Sequence, residues 1–497
     1  MPIDPATAED SCSKNQISSH GHDEFTSPES PPARSSHGQP GVMTSGGRDE
    51  KQSSPQSEHD TIPAPALEDA NLTPAASESH LSFPDGGFQA WLVVLGSFCA
   101  QGAVFGLINT AAVFESYFKT HQLKDYTNSE IGCIFSLYLF LVFFVGVQAG
   151  PVFDRHGSRH LLFGGSLCVV ASLMLLSISQ TYYQIILTYS VLGGLGGAML
   201  NAPAYGAIAH FFHLRRGLAT GVATTAGGVG GIVFPLLLQF LLGDEEGVGF
   251  GWSCRILGFI LLGLCTLANL LIRTRLPPLA VGPDDGDKKK RNSVWPDFSI
   301  FRDRRYALSA LGIFFMEFGL FVPLTYIVSY ATAHGLGTSD SFMVLSLLNA
   351  GSVFGRFLPG FLADKIGRFN VIILAISLCV ATLLGLWLPA GSSKATIIAF
   401  CVLFGFASGS NLGLAPVCIG QFCAPQDYGR YFCTAQMLAS FGTLASVPIG
   451  GALLERGHES TGWMGLILFS GLSYVVALGC YASARILAIG WHPLVKF

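Results

Sequence analysis

"GPVFDRHGSRH", residues 150–160, sets an acid and several basic side chains between two long apolar runs, and "GFLADKIGRFN", residues 360–370, does the same 210 residues later. The two stretches are in register: Gly150, Asp154, Arg155 and Gly157 recur as Gly360, Asp364, Lys365 and Gly367, with Arg159 and Arg368 beside them. An ordinary basic loop at a membrane surface has no reason to repeat at a fixed spacing, so the pair reads as corresponding loops of a duplicated half. Each residue type has a physical use. Gly150 and Gly360 let helices approach closely, and Gly157 and Gly367 permit a turn with positive φ. Asp154 and Asp364 suit basic groups or the exposed N–H groups of a helix start, and the Arg and Lys residues can pair across a seam between halves. A contact that exists in only one packing of the two halves acts as a gate latch.

Composition says what lies around these loops. Charged residues make up 12% of the 497, about half the share usual in a soluble domain, alongside 38 Phe and 59 Gly. From Phe88 onward, apolar stretches of about 20 residues recur, each long enough to cross a hydrocarbon core about 30 Å thick. Twelve are expected, near 88–113, 128–149, 160–179, 182–209, 217–241 and 253–273, then 306–332, 341–363, 370–389, 395–419, 431–453 and 462–487. The fold class that follows is an all-α polytopic membrane protein in two six-helix bundles. The fifth and eleventh spans are rich in Gly, Ala and Thr, which suits tight helix packing.

Lys and Arg give the orientation. With both termini in the cytoplasm, inner loops and the C-terminus hold 18 of them, including the run at 288–291, whereas the outer loops hold four: Lys119, Lys124, Lys394 and Arg456. Residues 1–84 carry 13 acidic against 4 basic side chains and are rich in Ser, Pro, His and Gly, so they read as a disordered cytoplasmic tail and not as a signal peptide. The expected domains are this tail, an N-terminal bundle over 85–273, a polar linker over 274–303, a C-terminal bundle over 304–488 and a cytoplasmic end at 489–497. The sequon at Asn71 falls in the tail and is expected to stay unmodified. The 12 Cys are scattered singly, as small hydrophobes.

Several function classes lose support here. The chain has no GxxxxGK[ST] segment for a nucleotide-driven pump and no HExxH or GxSxG for a membrane hydrolase. No enzyme activity, cofactor, metal or nucleic-acid partner is expected. A transporter-like receptor that signals through the tail stays open as the rival to a carrier.

The paired loops resemble the hallmark motif of the major facilitator superfamily, whose members have 6+6 helices and alternate access around a central site. "DGGFQAW" (85–91) and "FHLRRGLATGVATTAGGVG" (212–230) are similar to motifs leading into helices 1 and 5 of its monocarboxylate porter branch. The resemblance covers the chain beyond residue 84. It implies a plasma-membrane carrier of a small organic solute, an organic acid or a secondary metabolite, acting as a monomer, with protons as a candidate coupling ion. Both export of a natural product and uptake of a vitamin or monocarboxylate fit that branch.

A charge inside the membrane costs roughly 2.5–3.5 kcal/mol on insertion scales, so it should face a cavity or a partner. Arg356 and Glu317 stand at such positions in helices 8 and 7. Arg356 matches the family's substrate arginine; the alternative is a structural ion pair with Glu317, which otherwise serves as a charge partner or proton carrier. The family's proton-handling lysine and its aspartate are replaced by Asn109 and Ser352, so proton–lactate coupling does not carry over. Tyr326 and Asn349 complete the expected substrate contacts. Gln101, Asn201, Tyr205, Tyr330 and Asn411 are weaker candidates, since most such residues make helix-to-helix hydrogen bonds.

Overall fold

The computed structural model describes residues 82–243, 247–276, 294–456, 459–491 and 495. The acidic tail up to residue 81, the Asn71 sequon and the basic run at 288–291 lie outside them. All regular elements among the described residues are helical. Twelve helices follow one another: α1 (Phe88–Thr120), α2 (Ser129–His156), α3 (Arg159–Leu176), α4 (Tyr182–Phe211), α5 (Arg216–Leu241), α6 (Phe250–Leu271), α7 (Arg304–Ala333), α8 (Thr338–Ile366), α9 (Arg368–Trp387), α10 (Lys394–Ile419), α11 (Pro425–Glu455) and α12 (Thr461–Ile489). Among the described residues, eleven are long and apolar enough to cross a membrane. α8 is 29 residues long and carries Asp340, Arg356, Asp364 and Lys365.

Two of these helices run further than the hydropathy predicts. Residues 150–156 are the last turns of α2, not a loop, and the chain turns only at Gly157, with φ +78°. In the second half α8 continues to Ile366 and turns at Gly367, with φ +106°. A side chain at either turn would strain the backbone, which is why the glycine is the last fixed element of both repeats.

Side chains that compete with the helical ladder mark the breaks. Asn109 Nδ2 donates to the Phe105 carbonyl at 2.7 Å and to the Gly227 carbonyl of α5 at 3.1 Å, and Thr110 Oγ1 donates to the Leu107 carbonyl, so α1 bends there before continuing to Thr120. A short π-helical segment interrupts α4 at Ile186–Leu192, and another ends α9 at Leu383–Trp387. The start of α7 is capped by Asp303, which accepts from the Arg305 amide at 2.9 Å and pairs with its guanidinium at 3.1 Å. Burial alone would raise the Asp303 carboxyl, but these bonds hold it below its usual range.

Buried apolar residues form two cores, one drawn from α1 to α6 and their connections, the other from the second six helices with Ala149, Phe153, Leu161, Ala202, Tyr205 and Ala209 joining from the first half. The halves meet along α5 against α8 and α2 against α11. Glycine makes the first of these seams possible: a Cβ on Gly360 would lie 2.5 Å from the Gly217 carbonyl oxygen, and one on Gly217 equally close to that of Gly360. Gly150 meets the Gly429 carbonyl across the second seam in the same way.

Candidate functional site

Two clusters of polar side chains are buried between the halves, one at the basic end of the bundle and one near its middle. At the basic end Asp154, on α2, accepts from the Gly429 amide at 2.9 Å and the Arg430 amide at 2.7 Å, both in the first turns of α11. Asp364, on α8, accepts from the Gly217 and Leu218 amides at the start of α5, both at 2.8 Å. Each carboxylate thus caps a helix of the opposite half, using N–H groups that have no partner within their own helix and the positive end of that helix's dipole.

The remaining charges of the repeats divide into seam and surface. Arg368 donates to the His213 carbonyl in the connection between α4 and α5, so it does cross between halves. Lys365 instead lies over the Phe361 ring of its own helix at 4.2 Å, and Arg155 and Arg159 are exposed. Arg216 completes the seam: it is buried, and its guanidinium donates to the Phe212, Ala209 and Gly420 carbonyls, the last in the opposite half.

The segment before α1 is tied to the same place. Asp85, with φ +44°, accepts from three successive amides, those of His213 and Leu214 at 2.7 Å and of Arg215 at 3.3 Å. One carboxylate therefore fixes the turn that presents Arg216 and the α5 amides to the second half. Sequence reading separated these two motifs by 128 residues and gave no sign that they bind each other.

The second cluster surrounds a cavity bordered by α1, α2, α7, α8 and α10. Asn109, Glu317, Asn349, Ser352 and Arg356 all line it, together with Ser408 and the apolar side chains of Phe105, Phe143, Phe321 and Leu412. A contiguous lower recess adds Tyr205, Thr224, Phe432 and Gln436. Arg356 stands ten residues before the end of α8, or about 15 Å along the helix, which is half the thickness of a hydrocarbon core.

Arg356 is 8% exposed and Glu317 2%. Both border both recesses, yet no ion pair within 4.0 Å joins them among the described residues. Arg356 Nη1 donates to the Thr224 carbonyl of α5, while its Nε and Glu317 Oε2 meet no hydrogen-bond partner. The structural ion pair that the sequence left open is not formed here.

Tyr326 is not among the residues that border the cavity; its hydroxyl donates to the Val447 carbonyl at 2.8 Å. Of the weaker candidates, Gln101 and Asn201 bond each other at 3.4 Å, Asn411 donates to Cys379 Sγ, and Tyr330 donates to the Gly391 carbonyl, whereas Tyr205 borders the recess. Ser408, Thr224 and Gln436 were not singled out in the sequence. A lone Ser, Thr or Gln in a membrane helix carries no signal of which way it points.

Comparison with known proteins follows the same outline. Residues 90–447 match the sequence profile of the Major Facilitator Superfamily. The chain is 35% identical over 434 residues to the riboflavin transporter MCH5 of Saccharomyces cerevisiae, covering 85% of this chain and 83% of that one. It is 36% identical over 399 residues to the aspyridones efflux protein apdF of Emericella nidulans, covering 80% and 77% respectively. The fold is similar to that of the transporter FucP in its outward conformation, with a TM-score of 0.61 at 17% identity over 79% of this chain and 98% of that chain.

Proposed function

The chain belongs to the Major Facilitator Superfamily and is an integral membrane transporter, and from that premise we propose that it is a secondary active carrier that moves an organic acid or secondary metabolite by alternating access. The observation that carries this reading is Arg356. A guanidinium buried near mid-membrane, bordering a cavity with one of its donors unused, is stabilised by an acceptor or anion delivered from solution. Asn109, Asn349 and Ser352 supply short polar contacts, and Phe105, Phe143 and Phe321 supply apolar wall.

In this reading the basic end faces the cytoplasm, in keeping with the excess of Lys and Arg there. The Asp154 and Asp364 caps, with the close glycine contacts, then hold the cytoplasmic side shut, and solute enters from the opposite side. Breaking both caps lets the halves rock and opens the site inward. The carrier acts as a monomer in the plasma membrane, with domains that follow the two cores, and Gly150, Asp154, Arg155, Gly157, Arg159, Gly360, Asp364, Lys365, Gly367 and Arg368 form its cytoplasmic gate.

Export of a natural product is favoured by the efflux proteins among the relatives. Uptake of a vitamin is the second reading, favoured by the riboflavin transporter among them. Flux of labelled riboflavin and of labelled aromatic acids into vesicles carrying the purified chain, with and without an imposed pH gradient, separates the two readings and shows whether protons move with the solute. Saturable flux that is lost in Arg356→Ala supports the carrier. Solute binding without flux in any gradient supports a receptor instead.

A further inference from the structure

Glu317 and Arg356 present an acid and a base to one cavity without touching. Glu317 Oε2 and Arg356 Nε are both buried and both lack a partner, and Gln436 Oε1 in the lower recess lacks one as well. Leaving an unpaired acceptor and an unpaired donor buried in one site is costly unless the solute supplies the complement of each. A simple carboxylate complements the arginine but offers no N–H to the unpaired Glu317 oxygen. The side walls narrow the choice further, because Phe105 and Phe143, which border both recesses, offer ring surfaces for stacking, with Phe321 beside the first recess and Tyr205 and Phe432 beside the lower one.

Resting on the carrier reading above, we propose that the site selects planar aromatic solutes that carry an anionic or acceptor oxygen on one edge and an N–H donor on another, as in hydroxylated heteroaromatic lactams. The oxygen takes the free Arg356 donor, the N–H donates to the Glu317 carboxylate, and the ring system lies between the phenylalanines. Glu317 is then a direct substrate contact that sets specificity, not a structural partner of the arginine.

Three bicyclic probes of similar size separate the roles. 4-Hydroxy-2-quinolone has both edges, 4-hydroxy-1-methyl-2-quinolone lacks the N–H donor, and 2-naphthoate has only the anion. Dissociation constants are measured on the purified full chain by calorimetry. The expected order places the quinolone about tenfold or more tighter than either other probe, since a hydrogen bond to a charged group is at stake. Glu317→Gln keeps an amide oxygen acceptor but loses the charge, so it should weaken the quinolone part of the way towards its methylated congener and leave 2-naphthoate unchanged or tighter.

Equal affinities of the three probes in the native protein, or a quinolone affinity indifferent to Glu317→Gln, overturn the proposal. The comparison within the native protein needs no variant, so a variant that fails to fold does not shield it. The carrier reading fails separately: if Arg356→Ala leaves 2-naphthoate binding intact, the arginine site itself is wrong, whereas if only the quinolone preference is missing, the arginine site stands and the role of Glu317 falls.

Discussion

Asp154 and Asp364 are 210 residues apart in the chain and make the same bonds in opposite directions, each accepting two successive amides at the start of a helix in the other half. A structural duplication has thus become a pair of reciprocal caps. Both sit at one end of the bundle, so their loss should act on that end alone.

Asp154→Ala should loosen the seam between α2 and α11. Cys433 reports on it, because it is 1% exposed and packs against Gly146 and Gly150 beneath the cap. Two bonds to a charged acceptor are worth about 1.5–3 kcal/mol each, so maleimide labelling of Cys433 from the basic end, followed by peptide mass spectrometry, should rise at least tenfold. Labelling unchanged from the native protein would mean that the cap does not hold this end.

Gly360→Ala and Gly132→Ala should differ in sign. The first places a methyl 2.5 Å from the Gly217 carbonyl oxygen and should cost about 1–3 kcal/mol as overpacking. The second meets nothing within 4 Å inside α2 and should be neutral or stabilising by up to about 1 kcal/mol. Thermal melting of the two purified variants in detergent gives the comparison.

Asp85→Ala removes the acceptor of three amides at the turn before α5. The expected loss is about 1–3 kcal/mol, for bonds to a charged acceptor that water replaces at the exposed Leu214 and Arg215 amides. Because the turn also positions Arg216, protease cleavage around residues 212–216 should become faster while cleavage elsewhere stays the same. Uniformly faster cleavage would point to general unfolding.

Arg356→Lys keeps the charge but loses the planar fork and the reach to the Thr224 carbonyl. Binding of 2-naphthoate should weaken about tenfold or more in Arg356→Lys and further in Arg356→Ala, read as dissociation constants. Full affinity in the lysine variant would show that charge alone is recognised.

Much of this architecture is legible in the chain because a membrane helix writes its length in apolar residues and the repeated loops fix the halves. The ends of α2 and α8 were misplaced, since Asp154 and Asp364 look like loop residues by hydropathy, whereas both lie in the last turns of their helices with carboxylates bonded to amides across the seam. Those partners, and the bond from Asp85 to the α5 turn, are tertiary choices that no spacing encodes. At the site, Arg356, Glu317, Asn109, Asn349 and Ser352 were recognisable as polar residues in apolar helices, and the structure gathers them. Tyr326 was equally conspicuous, but its hydroxyl is spent on the Val447 carbonyl. Composition gives a residue's chemistry; only packing decides which face it turns to.

Trans-acceleration tests the carrier account most directly. Vesicles bearing the purified chain are preloaded with unlabelled 2-naphthoate, and the initial entry of labelled 2-naphthoate is compared with entry into empty vesicles. A single site that opens alternately to either side predicts several-fold faster entry into the preloaded vesicles, and no acceleration in Arg356→Ala. Entry at the same rate in both, or binding with no entry at all, would contradict alternating access around Arg356.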